Sequence, residues 1–163
     1  MSTSQNLADA FAGESQANRK YLAFAKQADL EGYHQVARLF RATAEAETIH
    51  AHAQLKAMGG IKSTINNLQE AISGETHEYT EMYPPFIQQA EAENKTEAAR
   101  SFKLANAAEE IHATLYKKAL NNIETKQLVD LYLCPVCGYI AEGHAPDNCP
   151  ICNAKASSFV KID

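Results

Sequence analysis

No apolar run in this 163-residue chain approaches the roughly 18 residues that a membrane-spanning helix needs, so a transmembrane segment is not expected. The opening MSTSQNLADAF has no basic start followed by a greasy segment, and a cytoplasmic location is therefore the expectation. Basic residues are also short: 15 Lys and Arg stand against 20 Asp and Glu, scattered among one another with a net charge of -5. Without a basic stripe to follow a phosphate backbone, a nucleic-acid partner is not expected. Cysteine is absent from the first 133 residues; all four fall in the last 30, as two CxxC pairs. In a reducing compartment that clustering reads as metal ligation before it reads as disulfides.

What remains is rich in Ala, Glu, Gln, Lys and Leu as far as about Asn122, and the breaks in this helical pattern define four helices. The first spans about Ser4 to Leu30 and ends at Glu31-Gly32-Tyr33; the second spans about His34 to Met58 and ends at Gly59-Gly60. The third starts after Ser63, a good cap, and reaches about Glu93, with Pro84-Pro85 inside it. Since neither proline can donate an N–H to the turn before it, a bend is expected near Tyr83. Asn94 followed by Glu97 resembles a capping box opening the fourth helix.

Two halves of the helical part repeat at an offset of about sixty residues. Gly13-Glu14 is answered by Gly74-Glu75, and Phe40-Arg41 through Glu47-Thr48-Ile49-His50-Ala51 by Phe102-Lys103 through Glu109-Glu110-Ile111-His112-Ala113. Helical periodicity turns several of these charges inward. The expected inward columns are Leu7, Phe11, Glu14, Asn18, Tyr21, Ala25 and Ala28; Val36, Phe40, Thr43, Glu47, His50, Gln54 and Ala57; Leu68, Ala71 or Ile72, Glu75, Glu78 and Met82; and Phe102, Ala105, Glu109, His112, Tyr116 and Leu120.

Five glutamates and two histidines thus converge at the middle of a bundle. One buried unpaired carboxylate costs several kcal/mol, and five together also repel one another. Two multivalent cations remove the difficulty. Glu-x-x-His on each of two helices, with a Glu from each of the other two, is the donor set of a di-metal carboxylate bundle. Carboxylate and imidazole donors favour iron or manganese over zinc, and iron suits redox work best. A single Glu-x-x-His is weak, because a core histidine bonded to its neighbour explains it equally well. Two copies at repeat spacing, each preceded by Gly-Glu, are not explained that way. His34, His52 and His77 fall outside the columns or away from the site level and are expected at the surface or behind the ligands, and Glu45 and Glu110 are expected to be solvated or paired. Glu78 has Ala17 as its counterpart, so His50 and Glu78 are alternative ligands for one metal.

In the tail, Cys134-Pro-Val-Cys137 and Cys149-Pro-Ile-Cys152 form two knuckles separated by eleven residues, the signature of a four-sulfur metal site. Zinc and iron both accept four thiolates; beside a redox-capable bundle, iron is expected. The tail carries few large apolar groups and depends on its metal to fold. The expected division is a di-iron four-helix bundle over 1–126 and an iron domain over 127–163.

These motifs, in this order and over essentially the whole chain, resemble the rubrerythrin family: Gly13-Glu14-Ser15-Gln16-Ala17, Glu47-Thr48-Ile49-His50, Gly74-Glu75-Thr76-His77-Glu78-Tyr79, Glu109-Glu110-Ile111-His112, CPVCGY and CPIC. The resemblance implies a mainly α fold, a ferritin-like bundle followed by a rubredoxin-like domain. It implies a peroxidase that reduces hydrogen peroxide to water, drawing electrons through the rubredoxin-type iron from an external reductase or donor protein fed by NAD(P)H. By the family pattern Glu47 and Glu109 bridge the irons, Glu14, Glu75 and His112 are terminal ligands, and His50 and Glu78 exchange with redox state. Tyr21 and Tyr83 match the family's tyrosines behind the ligands.

One departure concerns architecture. Longer members join the second and third helices by a crossover returning along the bundle, whereas only about Gly59 to Ser63 is available here. At about 3.3 Å per residue this link covers less than about 20 Å, too short to run beside a helix of about 37 Å. Either the two helices form a plain hairpin or each helix pair completes its bundle with a partner chain; a homodimer with exchanged pairs is the expectation. Iron storage, a structural zinc protein and an oxygenase are the rival readings.

Overall fold

The computed structural model describes residues 2–163. Helix α1 (Thr3–Leu30) starts where the Ser2 hydroxyl accepts the Gln5 N–H at 3.2 Å and stops at Gly32, whose φ of +82° ends the helix at no steric cost. Helix α2 (His34–Ala57) runs back along α1 and ends before Gly59. Helix α3 (Thr64–His77) is capped by Ser63, which accepts the Asn66 N–H at 3.3 Å. It continues through a π-helical turn, Glu78–Met82, into α4 (Tyr83–Ala92), and α5 (Thr96–Asn121) folds back on all three.

One local expectation needs correction. The Asn94–Glu97 capping box does not form: Lys95 occupies the cap of α5 with no side-chain bond. Asn94, at φ +56°, instead closes α4 in the left-handed conformation, and the Lys95 N–H reaches back to the Ala90 carbonyl at 2.8 Å. An N-cap must be extended, so the same residue cannot do both. Near Tyr83, where a bend is expected, the helix continues past the prolines through a local change of winding. The Tyr83 N–H bonds to the Glu78 carbonyl five residues back, so the turn widens just ahead of Pro84 and Pro85, which have no N–H to give to Thr80 and Glu81.

That wide turn also resets the internal repeat. Glu14 and Glu75 are 61 positions apart, whereas beyond the turn Tyr21 and Tyr83, Phe40 and Phe102, Glu47 and Glu109, and His50 and His112 are each 62 apart. The second half holds one extra residue, and the π turn is where the helix absorbs it.

By compactness the chain divides between Lys62 and Ser63. In the first unit, α1 and α2 form an antiparallel hairpin whose fully buried side chains are Ala25, Ala28, Ala37, Ala44 and Ala51. In the second, α3, the π turn and α4 pack on α5 around Ala90, Ala99, Ala108 and Ala113. Of the expected inward columns only Ala25 and Ala28, at the end of the first, are among these buried residues. Val36, Ala57 and Tyr116 are exposed, and the ligand candidates are at best half-buried. Alanines let the paired helices approach closely, and the columns lie on a neighbouring face that the pairing leaves open.

The rest of the second unit is a small antiparallel sheet, ordered β2-β1-β3, made of β1 (Leu131–Leu133), β2 (Ile140–Glu142) and β3 (Val160–Ile162). Leu133 pairs with Ile140 on one side and Val160 on the other. Its core is the cysteine cluster with Leu104 of α5, Tyr139, Ile151, Ala154 and Phe159 around it.

Candidate metal centres

In the first unit Glu14 projects from α1, and Glu47 and His50 project one turn apart from α2. The His50 Nδ1 lies 3.0 Å from Glu47 Oε2 and 3.8 Å from Glu14 Oε1. Asn18 joins the two helices beside this group, donating from Nδ2 to the Ala44 carbonyl at 2.7 Å and to Thr48 Oγ1 at 2.8 Å.

The second unit repeats the arrangement with Glu75 from α3 and Glu109 and His112 from α5. The His112 Nδ1 lies 2.6 Å from Glu109 Oε2 and 3.5 Å from Glu75 Oε2. Each group of three offers ligand atoms that all lie within 4.8 Å of one another.

The second group differs in what lies behind it. His112 Nε2 is 2.9 Å from the backbone carbonyl of Gly138. A carbonyl only accepts, so Nε2 carries a proton, and Nδ1 is the ring nitrogen turned to the two carboxylates. A metal ion among the three would be held by Nδ1 and both carboxylates together. Glu75 Oε2 is moreover buried without a hydrogen-bond partner. Burial, followed by the neighbouring Glu109 carboxylate, holds the Glu75 carboxyl above its usual range; burial and the charge of Glu75 do the same to Glu78. Two carboxylates and one imidazole with their ligand atoms turned together are a fit for iron.

Glu78 lies outside that group of three; it is half-buried and opens the π turn. The two tyrosines occupy matching surroundings. Tyr21 meets Phe24 and Phe40 with ring centroids at 6.4 and 6.1 Å, and Tyr83 meets Phe86 and Phe102 at 6.4 and 6.1 Å. Burial, then the charges of Glu109, Glu78 and Glu75, raises the Tyr83 pKa and keeps the phenol protonated. His34 pairs with Asp29 and His77 with Glu81 on exposed surface, and His52 is exposed.

In the tail the two knuckles fold alike. The Gly138 N–H bonds to the Cys134 carbonyl at 3.0 Å, and the Asn153 N–H to the Cys149 carbonyl at 2.9 Å; both residues take a positive φ. This brings Cys134 Sγ to 3.5 Å from Cys152 Sγ and Cys137 Sγ to 3.5 Å from Cys149 Sγ. Tetrahedral sulfurs about 2.3 Å from one ion stand roughly 3.8 Å apart, so the cage is of the right size. Burial opposes ionisation of Cys134, but N–H groups of Val136 and Cys137 hold its thiol down to about 7, whereas burial pushes Cys137 and Cys152 up. A cation is what lets all four ionise together.

Comparison with known proteins agrees with this geometry. Residues 5–120 match the family model for rubrerythrin, and residues 132–160 match that for the rubrerythrin rubredoxin-like domain. The chain belongs to the rubrerythrin family. Nigerythrin of Nitratidesulfovibrio vulgaris is 41% identical over 97% of this chain and 85% of its own length. Rubrerythrin of the same organism is 37% identical over 96% and 92%. A solved structure of partially reduced nigerythrin covers 99% of this chain and 87% of its own, at 38% identity and a TM-score of 0.62. The fold is thus a ferritin-like rubrerythrin domain with a rubredoxin-like four-cysteine domain, and its cofactors are a di-iron centre and a rubredoxin-type iron. Family members are di-iron oxidoreductases that in general reduce peroxide under oxidative stress. Among the described residues no helix is long and apolar enough to cross a membrane.

The sequence-based candidates fall into three groups in space: Glu14, Glu47 and His50; Glu75, Glu109 and His112, with Glu78 beyond them; and the four cysteines. Two contributors escaped the sequence reading. The Gly138 carbonyl is a backbone group and leaves no letter; Asn18 was placed in the inward column, but its bonds across to α2 depend on a pairing that only coordinates supply.

Proposed function

We propose that the protein is a hydrogen peroxide reductase whose reducing electrons enter through its own four-cysteine iron. When bound, the iron pair supplies the two electrons that, with two protons, convert hydrogen peroxide to two waters, and the tail iron restores them singly. In this reading Glu47 and Glu109 would be shared by the two irons, Glu14, Glu75 and His112 would be terminal ligands, and His50 and Glu78 would be the pair that exchanges. Cys134, Cys137, Cys149 and Cys152 hold the third iron. Tyr21 and Tyr83 supply O–H donors at the edge of the aromatic clusters behind the carboxylates.

The observation that carries the relay is the single chain of atoms through His112. Its Nδ1 faces the carboxylates, its Nε2–H is held by the Gly138 carbonyl, and Gly138 follows Cys137 in the chain. Such a bond fixes the ring's tautomer and orientation and links the two donor sets through one imidazole.

The short Gly59–Ser63 link, the three-ligand group in each unit and hairpins buried only through alanine support a homodimer in which each helix pair completes its bundle with a partner's. The functional division falls near 126, with a bundle domain before it and the iron domain from 127. An external reductase or carrier drawing on NAD(P)H feeds the tail, in the cytoplasm.

The test is metal content and Mössbauer spectra of anaerobically prepared protein, followed by reoxidation of the reduced form with hydrogen peroxide. Three irons per chain, one in four sulfurs, with fast oxidation of the coupled pair by peroxide, is the expected result. Zinc in the tail, or a pair that responds only to oxygen, overturns the proposal in favour of a structural or ferroxidase role.

A further inference from the structure

The surroundings of the four cysteines come almost entirely from the tail itself. Tyr139, Ile151, Ala154 and Phe159 pack against the buried Cys134, Cys137 and Cys149. The backbone N–H groups that reach sulfur are also the tail's own: those of Val136 and Cys137 bond to Cys134, that of Tyr139 to Cys137 and that of Ala154 to Cys152. Among the described residues one partly buried apolar side chain from outside the tail packs against that cluster, Leu104 of α5.

Leu104 stands two turns before His112 on the same face of α5, and His112 is bonded to the Gly138 carbonyl directly after Cys137. The helix that carries two of the carboxylate-site ligands therefore also lays an apolar side chain on the cysteines. Leu104 further lines an open hollow of about 540 Å³ between α4 and α5, together with Ala90, Ala99 and Lys103. One half-buried side chain thus borders both that hollow and the sulfur cluster.

The charge of the site makes this place matter. Four thiolates around ferric iron carry one net negative charge, and around ferrous iron two. Water favours the more highly charged form, because solvation of an ion grows steeply with its charge, and exposure is one of the levers that set the potential of a thiolate-bound iron. An apolar wall acts in the opposite sense and lowers the potential.

We propose that Leu104 sets the potential of the tail iron, by keeping water off the sulfurs on the side that faces α5. The tail supplies the ligands and the N–H bonds to sulfur, whereas the bundle supplies this part of the dryness and so makes its own electron donor more reducing. This rests on the iron in the tail and on the one-electron reloading of the pair proposed above.

The test is a potentiometric titration of the tail iron in full-length, iron-loaded protein, followed by its ferric thiolate absorption, for wild type, Leu104→Ala, Leu104→Gln and Leu104→Met. Alanine opens a way for water, glutamine keeps the length but brings an amide, and methionine keeps an apolar group of similar volume. Alanine and glutamine are expected to raise the ratio of reduced to oxidised tail iron at a fixed potential by about tenfold, a rise of about 59 mV for one electron. Methionine is expected to match wild type, and all three proteins to keep the tail iron and its absorption band.

If the alanine protein loses its tail iron, the glutamine protein decides. A wild-type potential in the alanine and glutamine proteins overturns the inference. So does a methionine protein shifted as far as alanine, because that marks a loss of fit and not an entry of water. The titration uses no peroxide, so it reads Leu104 whether or not the pair reduces peroxide. In stopped-flow, re-reduction of the pair is expected to slow as the tail potential rises; a raised potential with re-reduction at the wild-type rate supports the role of Leu104 and overturns the relay instead.

Discussion

The two helix pairs of this chain began from the same plan and differ in two places. Both present a Glu from the first helix, a Glu-x-x-His from the second, and a tyrosine against two phenylalanines. Only the second pair has the π turn with Glu78, and only it carries a cysteine module on its own helix. The result is an exposed His50, at 55%, against a covered His112, at 18%. The less constrained histidine belongs to the pair proposed to exchange, and the histidine fixed on both nitrogens is proposed as a permanent ligand. A donor that leaves and returns needs room, whereas one that conducts needs a fixed ring.

The severest way to break the comparison is Cys134→Ser, which removes the second pair's distinguishing module. Structural metal binding of this kind is worth on the order of 10 kcal/mol, so the tail is expected to unfold and become sensitive to protease. Re-reduction is lost, while one round of peroxide oxidation of a chemically reduced pair survives in stopped-flow.

Glu47→Ala and Glu109→Ala test the likeness of the halves. Each is expected to lower iron bound in the bundle by about tenfold or more in affinity while leaving the tail iron in place, as read by metal analysis. Unequal losses would show that the halves are not equivalent donors. Glu78→Ala makes the second half like the first at its point of difference. Iron is retained and peroxide oxidation slows by about tenfold; an unchanged rate rules out a role for Glu78 in exchange.

The smallest effect concerns Asp29, which ties the end of α1 to α2 through Arg41 at 2.7 Å and His34 at 3.2 Å. Arg41, then His34, holds its carboxyl below the ordinary 3.8. A depressed carboxyl adds stability above its unfolded pKa, and that stability is lost as pH falls through the folded value. Asp29→Asn should therefore lower the melting temperature slightly at neutral pH, and the difference should close as pH falls below 3.8.

The helices and the ligand candidates were legible because repetition doubled each signal: one Glu-x-x-His is ambiguous, two at 62 residues are not. The tail was legible because four cysteines in two knuckles have few other uses. What escaped was set by contacts between elements. Asn94 has the right letters for a cap, but the end of α4 claims its backbone first. The columns that hold the ligands were taken for the most buried, although alanine at positions such as Ala37 and Ala44 lets the paired helices seal a different face. The widened turn was visible only as a slip from 61 to 62 in the repeat, easily read as imprecision.

Burial through alanine carries a consequence for how the protein reaches its native state. Contacts inside each hairpin are local in sequence, so the pairs should form early and fast. A hairpin whose sealed face consists of methyl groups gains little from closing, so it opens again unless something else arrives. Mass action then governs survival: dilution or iron starvation should lower the melting temperature of the whole molecule, and freshly made chains should mature only as quickly as partner and metal are found.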